Sequence, residues 1–160
     1  MKPFILGTAA ILFCILFFSF QHDYKLNRHY LMDLKVVCEE ASVAGALYID
    51  NVEYSSGRIV FNRPESLKAI EAVIKVMLKL NDDFYPEEGS YWTEQITYHA
   101  YFHDDSNTVY PYLFQDPDTG YTHLVRSPTV IVTINAGNAP YRLAFLQNPI
   151  DNIRSSAHVW

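Results

Sequence analysis

Residues 3–49, PFILGTAAILFCILFFSFQHDYKLNRHYLMDLKVVCEEASVAGALYI, decide the architecture of this chain. Twenty uncharged residues lie between Lys2 and Asp23, and from Phe4 to Phe20 they are almost all apolar. As a helix they span about 30 Å, the thickness of one bilayer hydrocarbon core. A signal peptidase needs small residues just after such a run. Here the run ends Phe17-Phe18-Ser19-Phe20-Gln21-His22, so a retained membrane anchor over 1–22 is expected rather than a cleaved leader. Cys14 follows Phe13 and reads as a lipid-facing or packed thiol, not a lipidation site.

The helix does not stop at the end of that run. From Asp23 to Ile49 there is no proline, and Gly45 is the sole glycine. Leu31, Leu34, Cys38, Ala41, Gly45 and Tyr48 recur at spacings of three and four, which marks one helix face, with Glu39 and Glu40 on the other side. Residues 23–50 are therefore expected to be an amphipathic stalk helix continuous with the anchor, ending near Asp50-Asn51. Its stripe carries small residues, Ala41, Ala44 and Gly45, which allow close helix packing. The stripe serves either the chain's own sheet or a neighbouring subunit. Cys38 on it reads as a buried apolar thiol, with an intersubunit disulfide as the other reading.

Residues 51–160 are expected to form the head. Ser55-Ser56-Gly57 signals a turn and Arg58 to Phe61 a short strand. Asn62-Arg63-Pro64-Glu65 opens a second helix, with Leu67, Ile70, Val73, Ile74, Met77 and Leu78 inward and an end at Asn81-Asp82-Asp83. Strands are expected over Gln95–His103, Val109–Phe114 (an edge, because of Pro111), Tyr121–Arg126, Thr129–Asn135 and Tyr141–Leu146. Asp116 to Gly120 reads as a hairpin turn. Gln147 to Trp160 shows no clear pattern. The fold class is α+β: a long N-terminal membrane and stalk helix, then one amphipathic helix packed on an antiparallel β-sheet.

Charge and chemistry narrow the function. The chain carries a net charge of −6, and setting aside the one positive charge of Lys2 leaves the body beyond His22 at −7. An acidic body argues against nucleic acid, whose phosphates call for a basic face. His99 and His103 share a strand face but stand about 13 Å apart at 3.3 Å per residue, too far for one metal ion. Asp116-x-Asp118-x-Gly120 lacks the distal glutamate of a calcium loop, and Asx turns account for it. There is no Gly-x-Ser-x-Gly, Walker loop, CxxC or HExxH. No enzyme, cofactor or metal is expected. Tyr91, Trp92, Tyr98, Tyr101, Tyr110, Tyr112 and Tyr121 offer either an aromatic binding surface or cross-strand packing.

The segment Cys38-Glu39-Glu40-Ala41-Ser42-Val43-Ala44-Gly45-Ala46-Leu47, following an apolar helix, resembles the post-membrane segment of TadE/TadG-like minor pilins. The resemblance covers about the first 50 residues. It implies self-association or contact with other pilin-like subunits. A single-pass protein of the cell membrane, contacting lipid through its first helix, is expected from the apolar run. An extracytoplasmic head is expected from Lys2 and the acidic, aromatic-rich body, although Lys25, Arg28 and Lys35 pull the opposite way. Five residues after Gly7 stands Leu12, where type IV prepilins carry a glutamate, so processing there is not expected. Assembly or scaffolding of a surface or secretion structure is the leading expectation. A monomeric membrane-tethered extracytoplasmic binding module is the alternative.

Overall fold

The computed structural model describes residues 2–143, 145 and 150–160. An unbroken helix α1 runs from Lys2 to Ala46, 45 residues and about 68 Å. It is followed by α2 (Asn51–Ser55), α3 (Arg63–Leu78), β1 (Thr97–His103), β2 (Tyr112–Gln115), β3 (Thr122–Val125), β4 (Thr129–Asn135) and β5 (Ile153–Val159). Strands β1, β4 and β5 make an antiparallel sheet with β4 in the centre, and β2 and β3 make a separate hairpin.

The division of α1 is physical rather than covalent. Residues 3–18 are exposed, while Leu34, Val37, Cys38 and Ala41 are in the core. The second half of α1 lies on one face of the sheet, against β4 and β5, and α3 packs alongside it. There the inward residues of β4, Val130, Val132 and Ile134, meet Ile70, Ile74 and Leu78 of α3, as the spacing of three and four in α3 dictates. The strand runs along the helix: the Cys38 thiol donates to the Arg154 carbonyl on β5, while seven residues further on Gly45 faces Val130 at the other end of β4.

The opposite face of the sheet is covered too. The β2–β3 hairpin closes over it, burying Ile131, Phe114 and Val125 with Tyr101, Tyr110 and Tyr121 around them. Strand β4 is consequently buried on both faces, down to Thr129 and Thr133. Asp116 fastens the hairpin. One of its carboxylate oxygens accepts the N–H groups of Asp118 and Thr119, and the other accepts the Thr133 hydroxyl at 2.8 Å. Gly120 closes the same turn at φ +68°, where a side chain would be strained.

Several local expectations need correction. Arg58–Phe61 is not a strand; Phe61 makes a single bridge to Ile49. The chain after α1 adds a short helix, α2, because the Asp50 carboxylate accepts the N–H groups of Val52 and Glu53. Helix α3 ends at Leu78 rather than at Asn81, with Lys79 taking the left-handed conformation that ends a helix. β2 begins only after Pro111, which has no N–H to give a ladder. The strand expected over Tyr141–Leu146 does not form at residues 141–143, and most of its remainder lies outside the described residues. The third strand of the sheet comes instead from the patternless tail, as β5.

Candidate functional site

The longest uniform surface is the outside of α1 over residues 3–18. Phe4, Phe13 and Phe18 are 78%, 69% and 66% exposed. A helix apolar all round and covered by nothing among the described residues has the length and composition to cross a membrane. Phe13 and Phe17 stack along it, as side chains four apart on a helix do.

The small stripe lies above this run. Ala41 is fully buried, Gly45 is buried and Ala44 is half-buried. A Cβ on Gly45 would stand 2.7 Å from Ile70 Cδ1 and 3.2 Å from Val130 Cγ1. The close approach that these small residues permit is thus made to the chain's own α3 and β4. Cys38, deeper on the same face, has its thiol pushed up to about 12 by burial, so it stays protonated and unreactive at neutral pH. Cys14, on the apolar run, is exposed.

Where the apolar run gives way to the stalk, the head reaches back to touch it. Asp23, the first charged residue after the run, is buried beneath the loop that follows β4. Its carboxylate accepts the Arg142 backbone N–H at 3.0 Å and faces the Arg142 guanidinium at 3.5 Å. The Tyr141 ring meets Phe20 edge to face, 6.3 Å between centroids. Sequence reading misses this clasp: its partners are 119 residues apart, and neither carries a motif.

A groove of about 350 Å³ opens between α1 and α3, floored by Val37, Leu78 and Trp92 and rimmed by Asp33 and Lys79. On its wall Tyr30 of α1 stacks on Tyr91, centroids 4.0 Å apart. Burial first, then the nearby Tyr141, pushes the Tyr91 hydroxyl up to about 12, leaving it a neutral donor. The seven aromatic residues singled out from the sequence do not gather into one surface. Tyr91, Trp92 and Tyr98 belong to the main core, whereas Tyr101, Tyr110 and Tyr121 surround the cluster under the hairpin.

The polar candidates also separate. His99 is exposed and stands 3.8 Å from Asp118, while His103, on the same strand face, packs against Tyr112 and Phe114. Among the described residues no group of three or more His, Cys, Asp or Glu is placed to hold a metal ion. Burial acts to raise the Asp116 carboxyl, but bonds from Thr133, Asp118 and Thr119 outweigh it and hold the group below the usual carboxylate range. That carboxylate is committed to the hairpin. Comparison with protein families, curated proteins and solved structures finds no match to this chain.

Proposed function

We propose that this chain is a membrane-anchored, non-catalytic assembly or scaffolding subunit of pilin-like design, with its head outside the cytoplasm. The observation that supports this reading most is the continuity of α1, which is bare over residues 3–18 and whose last turns put Leu34, Val37, Cys38, Ala41 and Ala46 into the core of the head. A head joined to its anchor by a rigid helix has a set height and rotation. That suits a subunit whose helices must pack side by side in register, and it serves poorly for a tethered domain that searches for a ligand. Because Ala41 and Gly45 are used inside the chain, contacts between subunits fall to the bare run, where Ala9, Ala10 and Gly7 are its small residues. Lys25, Arg28 and Lys35 beyond the run outweigh Lys2 ahead of it in the positive-inside count, but a long C-terminal part translocates largely regardless of charge, and the acidity of the head supports its placement outside.

Crosslinking in native membranes tests assembly. Cys14 is exposed on α1, and a Leu6→Cys substitution adds a second thiol about 80° away around the helix, at 100° per residue. A bismaleimide should give dimers through Cys14 alone and a ladder of higher species in the Leu6→Cys variant. Monomers in both would reject assembly. The tethered binding module would then be the better account, with the groove beside Tyr30 and Tyr91 as its site.

A further inference from the structure

We infer that the head has a second membrane contact: Tyr141 and Ile150 rest on the lipid surface, beside Phe20 and Tyr24 of α1. The inference rests on the reading of residues 3–20 as a membrane-spanning run. Eighteen residues of helix extend about 27 Å, close to the hydrocarbon thickness, so Phe20 stands at its edge. The Tyr141 ring touches Phe20, which sets Tyr141 at the same height. Ile150 lines a hollow with Phe20 and Tyr24 and is 66% exposed, and Phe145 is 75% exposed.

These are costly side chains to leave in water, and nothing in the described head covers them. Tyrosines at the edge of a spanning helix are what a bilayer interface selects, since the ring is apolar and its hydroxyl reaches water. The occupant is lipid because the patch is continuous with the lipid-facing run. The Asp23 carboxylate fixes the Arg142 backbone against α1 at this level, and Lys25 and Arg28, exposed further along the helix, are cations available to headgroup phosphates.

Tryptophan depth measurement tests this in the full chain. Ile150→Trp, Phe13→Trp and Val109→Trp are each reconstituted into phosphatidylcholine vesicles whose acyl chains are brominated either near the headgroup or near the tail. Signals are compared with the parent, which carries Trp92 and Trp160. Tryptophan at 150 should emit to the blue of a water-exposed indole and be quenched most by bromine near the headgroup. Tryptophan at 13 should be quenched most by deep bromine. Val109 is 89% exposed and follows the β1 end remote from Tyr141, so tryptophan there should gain no quenching. A quenched residue 13 with an unquenched residue 150 would overturn the lipid seat and leave the anchor standing. If neither is quenched, the anchor itself fails and the seat falls with it. Far-ultraviolet circular dichroism and a cooperative melt matching the parent confirm that each variant is folded.

Discussion

Gly45 is a close approach between the stalk and the rest of the head: a Cβ there would stand 2.7 Å from Ile70 Cδ1. A single methyl group there meets the flexible end of Ile70, which can turn aside, and alanine returns about 1 kcal/mol of helix propensity. Gly45→Ala should therefore leave the melting temperature nearly unchanged. Gly45→Leu adds three more heavy atoms toward Ile70 and Val130. Overpacking of that kind costs about 1–3 kcal/mol, and the melting temperature should fall by several degrees. An unchanged melt for the leucine variant would show that the contact between α1 and α3 is looser than described.

A second residue carries the head's response to acid. Burial between Tyr112 and Phe114 lowers the His103 pKa below its ordinary 6.5, and the nearby Asp104 only partly offsets this. The unfolded chain takes up the proton more readily than the folded one, so stability is complete above about pH 6.5 and declines as pH falls toward the folded value. Melts at pH 7 and pH 5 check it: the parent should lose stability, and His103→Gln should lose less. A steeper loss in the variant would reverse the sign of the argument. In the sequence His103 alternates onto the same strand face as His99, and nothing there marks that face as buried. The hairpin that makes this face a second interior belongs to residues 112–125 and leaves no mark on the β1 pattern itself.

Among the elements, α3 makes the most direct test of the packing, because Ile74 is fully buried between α1 and the sheet. Ile74→Asp sets an unpaired carboxylate in that layer, with a cost on the order of 4 kcal/mol. Loss of the cooperative melt is expected, and an unaltered melt would mean that the helix presents a different face. The two long helices were legible because their apolar residues recur at a helical spacing that no other element produces. The inward faces of β1 and β4 were legible for the corresponding reason, alternation. β5 was not: Ile153-Arg154-Ser155-Ser156-Ala157-His158-Val159 is mostly small or polar and half-buried along nearly its whole length. Its place is set by the free edge of β4, from Asn135↔Ile153 to Thr129↔Val159, rather than by any pattern of its own. The same reasoning explains Arg58–Phe61, where a β-prone stretch finds one bridging partner, at Ile49, and no ladder.

For the molecule as a whole, the stalk belongs as much to the head as to the apolar run. Leu34, Val37, Cys38, Ala41 and Ala46 are all core residues. Removing residues 1–20 should leave a folded head that melts cooperatively. Removing residues 1–49 should strip one wall from the core and abolish that transition, as followed by circular dichroism. A cooperative melt in the shorter chain would show that α3 and the sheet suffice alone.

The bond between Cys38 and Arg154 joins partners 116 positions apart, and this has a consequence in time. At 5–20 residues per second, a ribosome takes about 6–23 seconds to make the chain that separates them. For much of that interval the inner face of the stalk has only α3 to lie on, since β1 and β4 follow later and β5 comes last. The apolar run has by then already left the ribosome, so delivery to the membrane precedes completion of the head. The last-made strand is the one that closes the edge of β4, and a nascent chain halted short of Ile153 presents that edge open. Assembly of the head is thus ordered along the chain, with α3 covering the stalk's stripe first, β4 next and β5 last.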